Sequence, residues 1–372
     1  MPALDATAAL TLEDLGGWPA VLHRLALQED LSGPEAGAAL ADMLSGNATP
    51  AQIAAFVFGL RCKGETVEEM SGLVGAMLAA SERVVVPADL ADRLVDTCGT
   101  GGDRSGTINV STIAALVVAG AGVPVCKHGG RAASSKAGSA DVLEALGVVI
   151  DLGPVGVARC IEEAGIGFCF APRYHPAMRH AIPVRRELGV PTAFNFLGPL
   201  ANPARVRRQV VGVGDPAMAV KMVHVLAAGG ALRALVVHGS DGLDELSTTG
   251  PSTIYEWRAP EAMGTPPFVA VPVATVTVDP AALGLASAGL ADLVGGDAAT
   301  NATFARRVLD GEAGSHRDIV LLNAAAGLVA AGVTDDLEAG LVAAAAALDQ
   351  GHAAAALDRL VEVSRREAGP PP

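Results

Sequence analysis

Two glycine-rich stretches, about thirty residues apart, constrain this chain more than any other feature. The first is Asp96-Thr97-Cys98-Gly99-Thr100-Gly101-Gly102-Asp103. The second runs from Lys127-His128-Gly129-Gly130-Arg131 through Ser134-Ser135-Lys136 to Gly138-Ser139. Each follows a short apolar run that reads as a strand, and each leads into a helix. Glycines let backbone N–H groups turn toward an anion, and a helix N-terminus adds partial positive charge. Two such cradles, one carrying Lys and Arg, predict a ligand with two separate phosphate groups.

The surrounding pattern says what holds these loops. From about residue 93, short apolar runs alternate with helical stretches: 94–96, 123–126, 148–150, 167–170, 210–213 and 234–237. Strands separated by helices predict an α/β fold with a mostly parallel central sheet, and such sheets bind ligands at the carboxyl ends of their strands. The chain ahead of them reads as wholly helical. Thr49-Pro50-Ala51-Gln52 and Thr66-Val67-Glu68-Glu69 match the capping box, and Pro50 suits the first helical position. Ile53 to Leu60 is apolar almost all round, which predicts an oligomer contact through a helical domain. The expected organisation is a helical domain over 1–90 with a returning helical segment near 183–205, an α/β domain over 91–365, and a disordered tail over 366–372.

Composition narrows the partners. With 372 residues the chain is long enough for two domains. No apolar run reaches the roughly 18 residues of a membrane span, and the N-terminus lacks the basic-then-apolar order of a secretory signal. A formal charge of −14 speaks against a nucleic-acid partner, which needs a basic face. The five cysteines, at 62, 98, 126, 160 and 169, contain no Cys-x-x-Cys pair and read as reduced thiols in the cytoplasm.

Gly99 to Asp103 by itself is only a turn; it is neither the dinucleotide fingerprint nor a P-loop. Thr107-Ile108-Asn109-Val110-Ser111-Thr112 raises its value, because short polar side chains there precede an apolar helix from Ile113. Ser111 or Thr112 could cap that helix, offer a phosphate site or ligate Mg²⁺. Ser139 reads as the N-cap of 140–146. Asp244 and Glu245 follow a glycine turn after the strand 235–237, at the ligand-bearing edge, and are the best carboxylates for Mg²⁺. An arginine on the segment 183–188 could pair a substrate carboxylate, and His175 before a proline is either a ligand contact or a structural hydrogen-bonder.

Together, 96–103, 109–112, 127–147, His175-Pro176-Ala177-Met178-Arg179, 194–203 and 241–247 resemble anthranilate phosphoribosyltransferases, collinearly from about residue 40 to 360. The resemblance implies the nucleoside-phosphorylase-like phosphoribosyltransferase fold and a homodimer formed through the helical domain. It also implies transfer of phosphoribose from phosphoribosyl pyrophosphate to anthranilate in tryptophan biosynthesis. By position, Gly99, Gly102, Asp103, Thr107, Asn109, Val110, Ser111, Thr112, Lys127, Arg131, Ser134, Ser135 and Ser139 would hold phosphoribosyl pyrophosphate. Gly99, His128, Gly130, His175 and Arg185 would meet anthranilate. Ser111, Asp244 and Glu245 would serve Mg²⁺, two ions in all, and no residue acts as covalent nucleophile or general base. One position departs: the family usually has Asn after Lys-His-Gly, where this chain has Gly130. The alternatives are a paralogue using another amino-aromatic acceptor and a non-catalytic nucleic-acid-binding homologue.

Overall fold

The fold comes from a computed structural model that describes residues 10–132, 136–260 and 272–369. The chain divides into two compact units, Met1–Glu82 with His175–Ala201, and Arg83–Tyr174 with Asn202–Pro372.

The first unit is helical. Its main helices are Gly17–Ala26, Gly33–Leu44, Pro50–Lys63 and Val67–Ala79, joined by shorter ones at Ile182–Leu188 and Phe194–Leu200. Thr49 and Thr66 close the expected capping boxes, and Ser32 with Glu35 closes a third. Each cap is worth about 0.5–2 kcal/mol. Glu69 does more than cap. Its Oε2 accepts from Thr66 N–H at 2.8 Å and from Lys63 Nζ at 2.9 Å, while Oε1 accepts from Leu31 N–H at 2.9 Å. A fully buried carboxylate is thereby satisfied on both oxygens. Helix Pro50–Lys63 is not buried all round: Ile53, Phe56, Val57 and Leu60 face inward, but Phe58 is exposed.

The second unit carries a seven-stranded sheet in the order β3-β2-β1-β4-β5-β6-β7. The strands are β1 (Val95–Gly99), β2 (Val125–Gly129), β3 (Ile166–Phe170), β4 (Arg208–Gly212), β5 (Arg233–Gly239), β6 (Ser252–Arg258) and β7 (Ala274–Val278). β1 to β5 are parallel, and β6 and β7 add antiparallel. β1 sits where the order reverses, between β2 and β4, so its carboxyl end opens a crevice suited to a ligand. Helix Val110–Gly120, apolar nearly throughout, and the stretch of helix Ser315–Ala331 from Ile319 onward supply much of the core against the sheet.

The strand expectation needs two corrections. Residues 148–150 form no strand; they lie between Gly147, with φ +98°, and helix Pro154–Ala164, and Val148 and Ile150 enter the core as irregular chain. β6 and β7 do not read as buried strands in the sequence because buried Ile254 and Trp257 are interspersed with half-exposed Thr253, Tyr255 and Glu256, and β7 is exposed except at Val278. The tail is also corrected. Arg366, Glu367 and Ala368 finish helix His352–Ala368, and Arg366 pairs with Glu163 at 2.6 Å; residues 370–372 lie outside the described residues. The chain joins the α/β unit at Arg83 because Val84 is buried in that unit's core, with Val86 and Leu90 packed against it. The returning segment starts at His175 and stops at Ala201, because the Asn202 amide belongs to the sheet, donating to Asp96 Oδ2 and to the Cys126 carbonyl, each at 2.8 Å.

Cys98, Cys126, Cys160 and Cys169 are buried thiols outside any disulfide, and burial pushes the Cys160 thiol up to about 12. Among the described residues no helix is long and apolar enough to cross a membrane.

The helical unit has one contact with no slack. A Cβ on Gly72 would collide with the backbone carbonyl of Gly33 on the neighbouring helix. Gly72→Ala must therefore push the two helices apart, and we expect it to destabilise the protein by about 1–3 kcal/mol, read as a lower melting temperature. An unchanged melting temperature would show that this helix pair has room to move.

Candidate functional site

The site is built where β1, β2 and β5 end. After Gly99 the chain makes a loop in which Gly101 and Gly102 take left-handed φ of +65° and +84°, open only to residues without a Cβ at low cost. The loop is anchored further on. Ile108 N–H donates to Leu293 O at 3.0 Å, and Gly295 N–H donates to Gly106 O at 2.8 Å. Thr107 pairs with Val294 in an isolated bridge, and its hydroxyl lies 3.3 Å from that of Ser105. Asp103 accepts from Ser105 N–H and Oγ at 3.2 and 2.7 Å.

Helix Val110–Gly120 starts at this loop, three residues earlier than the sequence predicts. Asn109 is its N-cap position, without a side-chain cap, so neither Ser111 nor Thr112 caps it. The Asn109 amide bridges outward instead: Nδ2 donates to Ala137 O at 3.1 Å, and Oδ1 accepts from Asn301 Nδ2 at 2.8 Å. It thus ties the first glycine loop to the second. Val110 and Thr112 are buried, and Ser111 offers its N–H and hydroxyl at the helix start.

Asp244 and Glu245 close the front of the site. Asp244 Oδ2 accepts from Gly101 N–H at 2.7 Å, and Glu245 Oε1 accepts from Ser111 N–H at 3.0 Å. Approach this close requires missing side chains. A Cβ on Gly99 would strike the Asp244 carboxylate, and one on Gly212 at the end of β4 would strike the Asp244 carbonyl. Both residues are half-buried. Desolvation, reinforced by the neighbouring charge of Asp103, pushes the Asp244 carboxyl up to about 7. Desolvation and the charge of Asp244 push Glu245 up to about 8, against the pull of Lys127. The turn that carries the pair is itself braced. Asp241 accepts from the hydroxyls of Ser247 and Thr249 and from Leu243 N–H, and Asn323 brackets Leu246 through both its N–H and its carbonyl.

The second loop leaves β2. Lys127 is buried, its ammonium donating to the Thr97 carbonyl and lying 3.4 Å from Ser111 Oγ. His128 is buried, its backbone N–H donating to Asp96 Oδ1 at 3.1 Å. A Cβ on Gly129 would collide with the Ser139 hydroxyl, whereas one on Gly130 would meet only Ala171, at 3.8 Å. The Gly130 corner is therefore open. Ser139 is the first residue of helix Ser139–Ala145, not its cap, which falls to Gly138; its hydroxyl donates to Gly130 O at 3.3 Å. Arg131 turns away from the other loop residues: its guanidinium binds Asp141 and Glu144, both at 2.7 Å, and lies over the Phe170 ring. Ser134 and Ser135 lie outside the described residues.

The two remaining candidates belong to the helical unit. His175 is buried, with Nε2 3.1 Å from Ala201 O, and desolvation pushes its imidazole down to about 4, so it is neutral at physiological pH. Arg185 is half-buried over the Phe194 ring, 5.7 Å from its centroid, and has no carboxylate partner among the described residues. The bracing groups Asp96, Asp241, Asn301 and Asn323 were missed in the sequence. Asn323, a lone polar residue inside the apolar run Ile319–Ala331, was the signal available for one of them.

Comparisons with known proteins agree with one another. The glycosyl transferase family α/β-domain model matches residues 91–354, and the same family's helical bundle domain model matches 19–81. The chain is 53% identical to an anthranilate phosphoribosyltransferase of Salinispora arenicola over 93% of this chain and 96% of that one. It is similar to the crystal structure of the Thermus thermophilus anthranilate phosphoribosyltransferase, with a TM-score of 0.84 at 42% identity, covering 93% of this chain and 99% of the other. The Saccharomyces cerevisiae anthranilate phosphoribosyltransferase, solved in complex with PRPP and Mg, aligns with a TM-score of 0.82 at 26% identity, over 93% and 97% of the two chains.

The raised carboxyls set a pH dependence. At about 7 and about 8, both lie above ordinary carboxyls, so the folded protein holds protons that the unfolded chain has released. Their contribution to stability is complete at low pH and is lost as pH rises through 7 and 8. We expect the melting temperature of the metal-free protein, relative to Asp244→Asn/Glu245→Gln, to fall between pH 5 and 8.5. A constant difference would contradict the enclosed acid pair.

Proposed function

The chain belongs to the anthranilate phosphoribosyltransferase family, and from that premise we propose that it transfers the 5-phosphoribosyl group of phosphoribosyl pyrophosphate to the amine of anthranilate. The products are N-(5-phosphoribosyl)anthranilate and pyrophosphate, and the reaction is a step of tryptophan biosynthesis. The observation that carries this reading is the acid pair at the strand tips: Asp244 and Glu245 reach the N–H groups of both Gly101 and Ser111, where phosphate oxygens and a divalent cation belong together.

The residues suit Mg²⁺. Among the described residues no three His, Cys, Asp or Glu side chains gather as a metal site, so the protein offers two carboxylates and the Ser111 hydroxyl. Mg²⁺ takes such sparse sets, completing its shell with water and substrate phosphate. In our proposal Asp244, on the Gly101 side, and Glu245, on the Ser111 side, serve one ion each. When bound, Mg²⁺ neutralises charge on the departing pyrophosphate.

The chain's own groups do the rest. Gly99, Gly102, Asp103, Thr107, Asn109, Val110, Ser111, Thr112, Lys127 and Ser139, with Ser134 and Ser135, hold phosphoribosyl pyrophosphate; preorganised N–H groups and the Lys127 ammonium stabilise the leaving charge. Arg131 serves through the loop, since its guanidinium is committed to Asp141 and Glu144. The amine of anthranilate is neutral near pH 7 and needs no general base, and holding both reactants in line supplies the remainder. Arg185, half-buried without an acidic partner among the described residues, pairs the anthranilate carboxylate. Gly99, His128, the open Gly130 corner and neutral His175 contact the rest of the acceptor. We further propose a cytoplasmic homodimer joined through the helical unit, which the five cysteines outside any disulfide and the exposure of Phe58 and Leu27 support.

A steady-state assay with anthranilate, phosphoribosyl pyrophosphate and Mg²⁺ tests the reading directly. Arg185→Ala should raise the anthranilate KM and leave that of phosphoribosyl pyrophosphate near wild type, since losing such a charge partner costs about 2–5 kcal/mol; an unchanged anthranilate KM refutes the assignment. Asp244→Asn/Glu245→Gln, or chelation of Mg²⁺, should abolish turnover, and wild-type rates at ordinary Mg²⁺ would rule out the metal role.

A further inference from the structure

The two strands that carry the glycine loops part company early. β1 pairs with β4, and β2 with β3, through five residue partners each, but β1 and β2 are joined only at Val95–Val125, where Val95 N–H donates to Pro124 O at 2.9 Å. In a parallel ladder continued from that point, the Cys126 carbonyl would accept from Thr97 N–H, and the Thr97 carbonyl would accept from His128 N–H. Side chains occupy these positions instead. The Cys126 carbonyl accepts from Asn202 Nδ2 at 2.8 Å, His128 N–H donates to Asp96 Oδ1 at 3.1 Å, and the Thr97 carbonyl accepts from Lys127 Nζ. Asn202 Nδ2 also donates to Asp96 Oδ2 at 2.8 Å, and Asn202 Oδ1 accepts from Ala204 N–H at 2.9 Å.

We propose that Asp96 and Asn202 form a wedge that holds the tips of β1 and β2 apart by a fixed amount, and so sets the distance between the two phosphate-binding loops. Both residues are fully enclosed, at 0% and 3% exposure, and their side chains are spent on one another and on backbone groups of the seam; they are positioning residues. Paired strands lie about 4.8 Å apart, a spacing at which the β1 and β2 tips would crowd any group placed between them. Three side-chain bonds meet the Thr97 carbonyl, the His128 N–H and the Cys126 carbonyl in place of the ladder. Specificity for a ligand with two separated phosphates then resides partly in a seam that no substrate touches.

The inference rests on the reading of both loops as the phosphoribosyl pyrophosphate site, so wild-type turnover is measured first; its absence defeats that reading and leaves the wedge a matter of strand geometry alone. With turnover present, Asp96→Asn, Asn202→Asp and their combination are compared at a temperature where all are folded. Asp96→Asn is isosteric and still accepts from His128 N–H, so it is the single variant expected to fold normally. Each single variant opposes like groups across the wedge and should raise the phosphoribosyl pyrophosphate KM about tenfold or more, with a smaller change in the anthranilate KM. The combined variant restores the bond between positions 96 and 202 with roles exchanged but turns a carboxylate oxygen toward the Cys126 carbonyl, which then has no donor there, so it should stay impaired. A core cavity remote from the seam, Leu348→Ala, controls for stability and should leave that KM unchanged. A wild-type KM in folded Asp96→Asn, or in the combined variant, overturns the wedge.

Discussion

Everything at the edge where the strands end is arranged around one costly act: two adjacent carboxylates, Asp244 and Glu245, are held where desolvation and neighbouring negative charge, Asp103 for one and Asp244 for the other, oppose their ionisation. The fold tolerates this by giving each a backbone N–H, Gly101 for one and Ser111 for the other, and by removing side chains at Gly99 and Gly212 so that the approach is possible. The Asp241 turn and the Asn323 bracket keep the pair from swinging out to water. Desolvation favours the protonated form of both carboxyls.

The sheet supplies the second constraint. Reversal of strand order at β1 gives one crevice, and the β1–β2 ladder beside it is interrupted after Val95–Val125. Parallel strands lose hydrogen bonds when they splay, and a buried unpaired carbonyl or N–H costs about 1–3 kcal/mol. The seam persists because Asp96, Lys127 and Asn202 meet those groups one by one. Asn109 and Asn301 perform a similar service further out, linking the first loop to the second and to the chain near residue 300. Amide and carboxylate side chains, more than charge, hold the loops in place.

Much of this was legible in the chain. The parallel sheet, the helical first unit, the two capping boxes, the glycine loops and the Asp244–Glu245 pair all announce themselves through local spacing. What was not legible failed for physical reasons. Residues 148–150 have the composition of a strand but are hemmed by Gly147 and Pro154. β6 and β7 are too polar on one face to read as buried strands. Asn109 displaced Ser111 and Thr112 at the helix start because Asn301, far away in sequence, holds its amide. Arg131 reads as a phosphate ligand until Asp141 and Glu144, one helix turn apart, claim its guanidinium.

The sequence by itself determined the chemistry on offer: glycines where backbone N–H groups must be bare, a lysine and serines beside them, two acids after a strand, and too much negative charge for a general polyanion binder. These are properties of residue types in short register, and periodicity and loop composition reveal them. Only the tertiary structure decided which of these groups meet. Asp244 finds Gly101, Glu245 finds Ser111, and Asn202 finds Asp96 across separations of 143, 134 and 106 residues. No local pattern encodes such contacts, because they arise from strand order and from which ladder bonds the sheet declines to form.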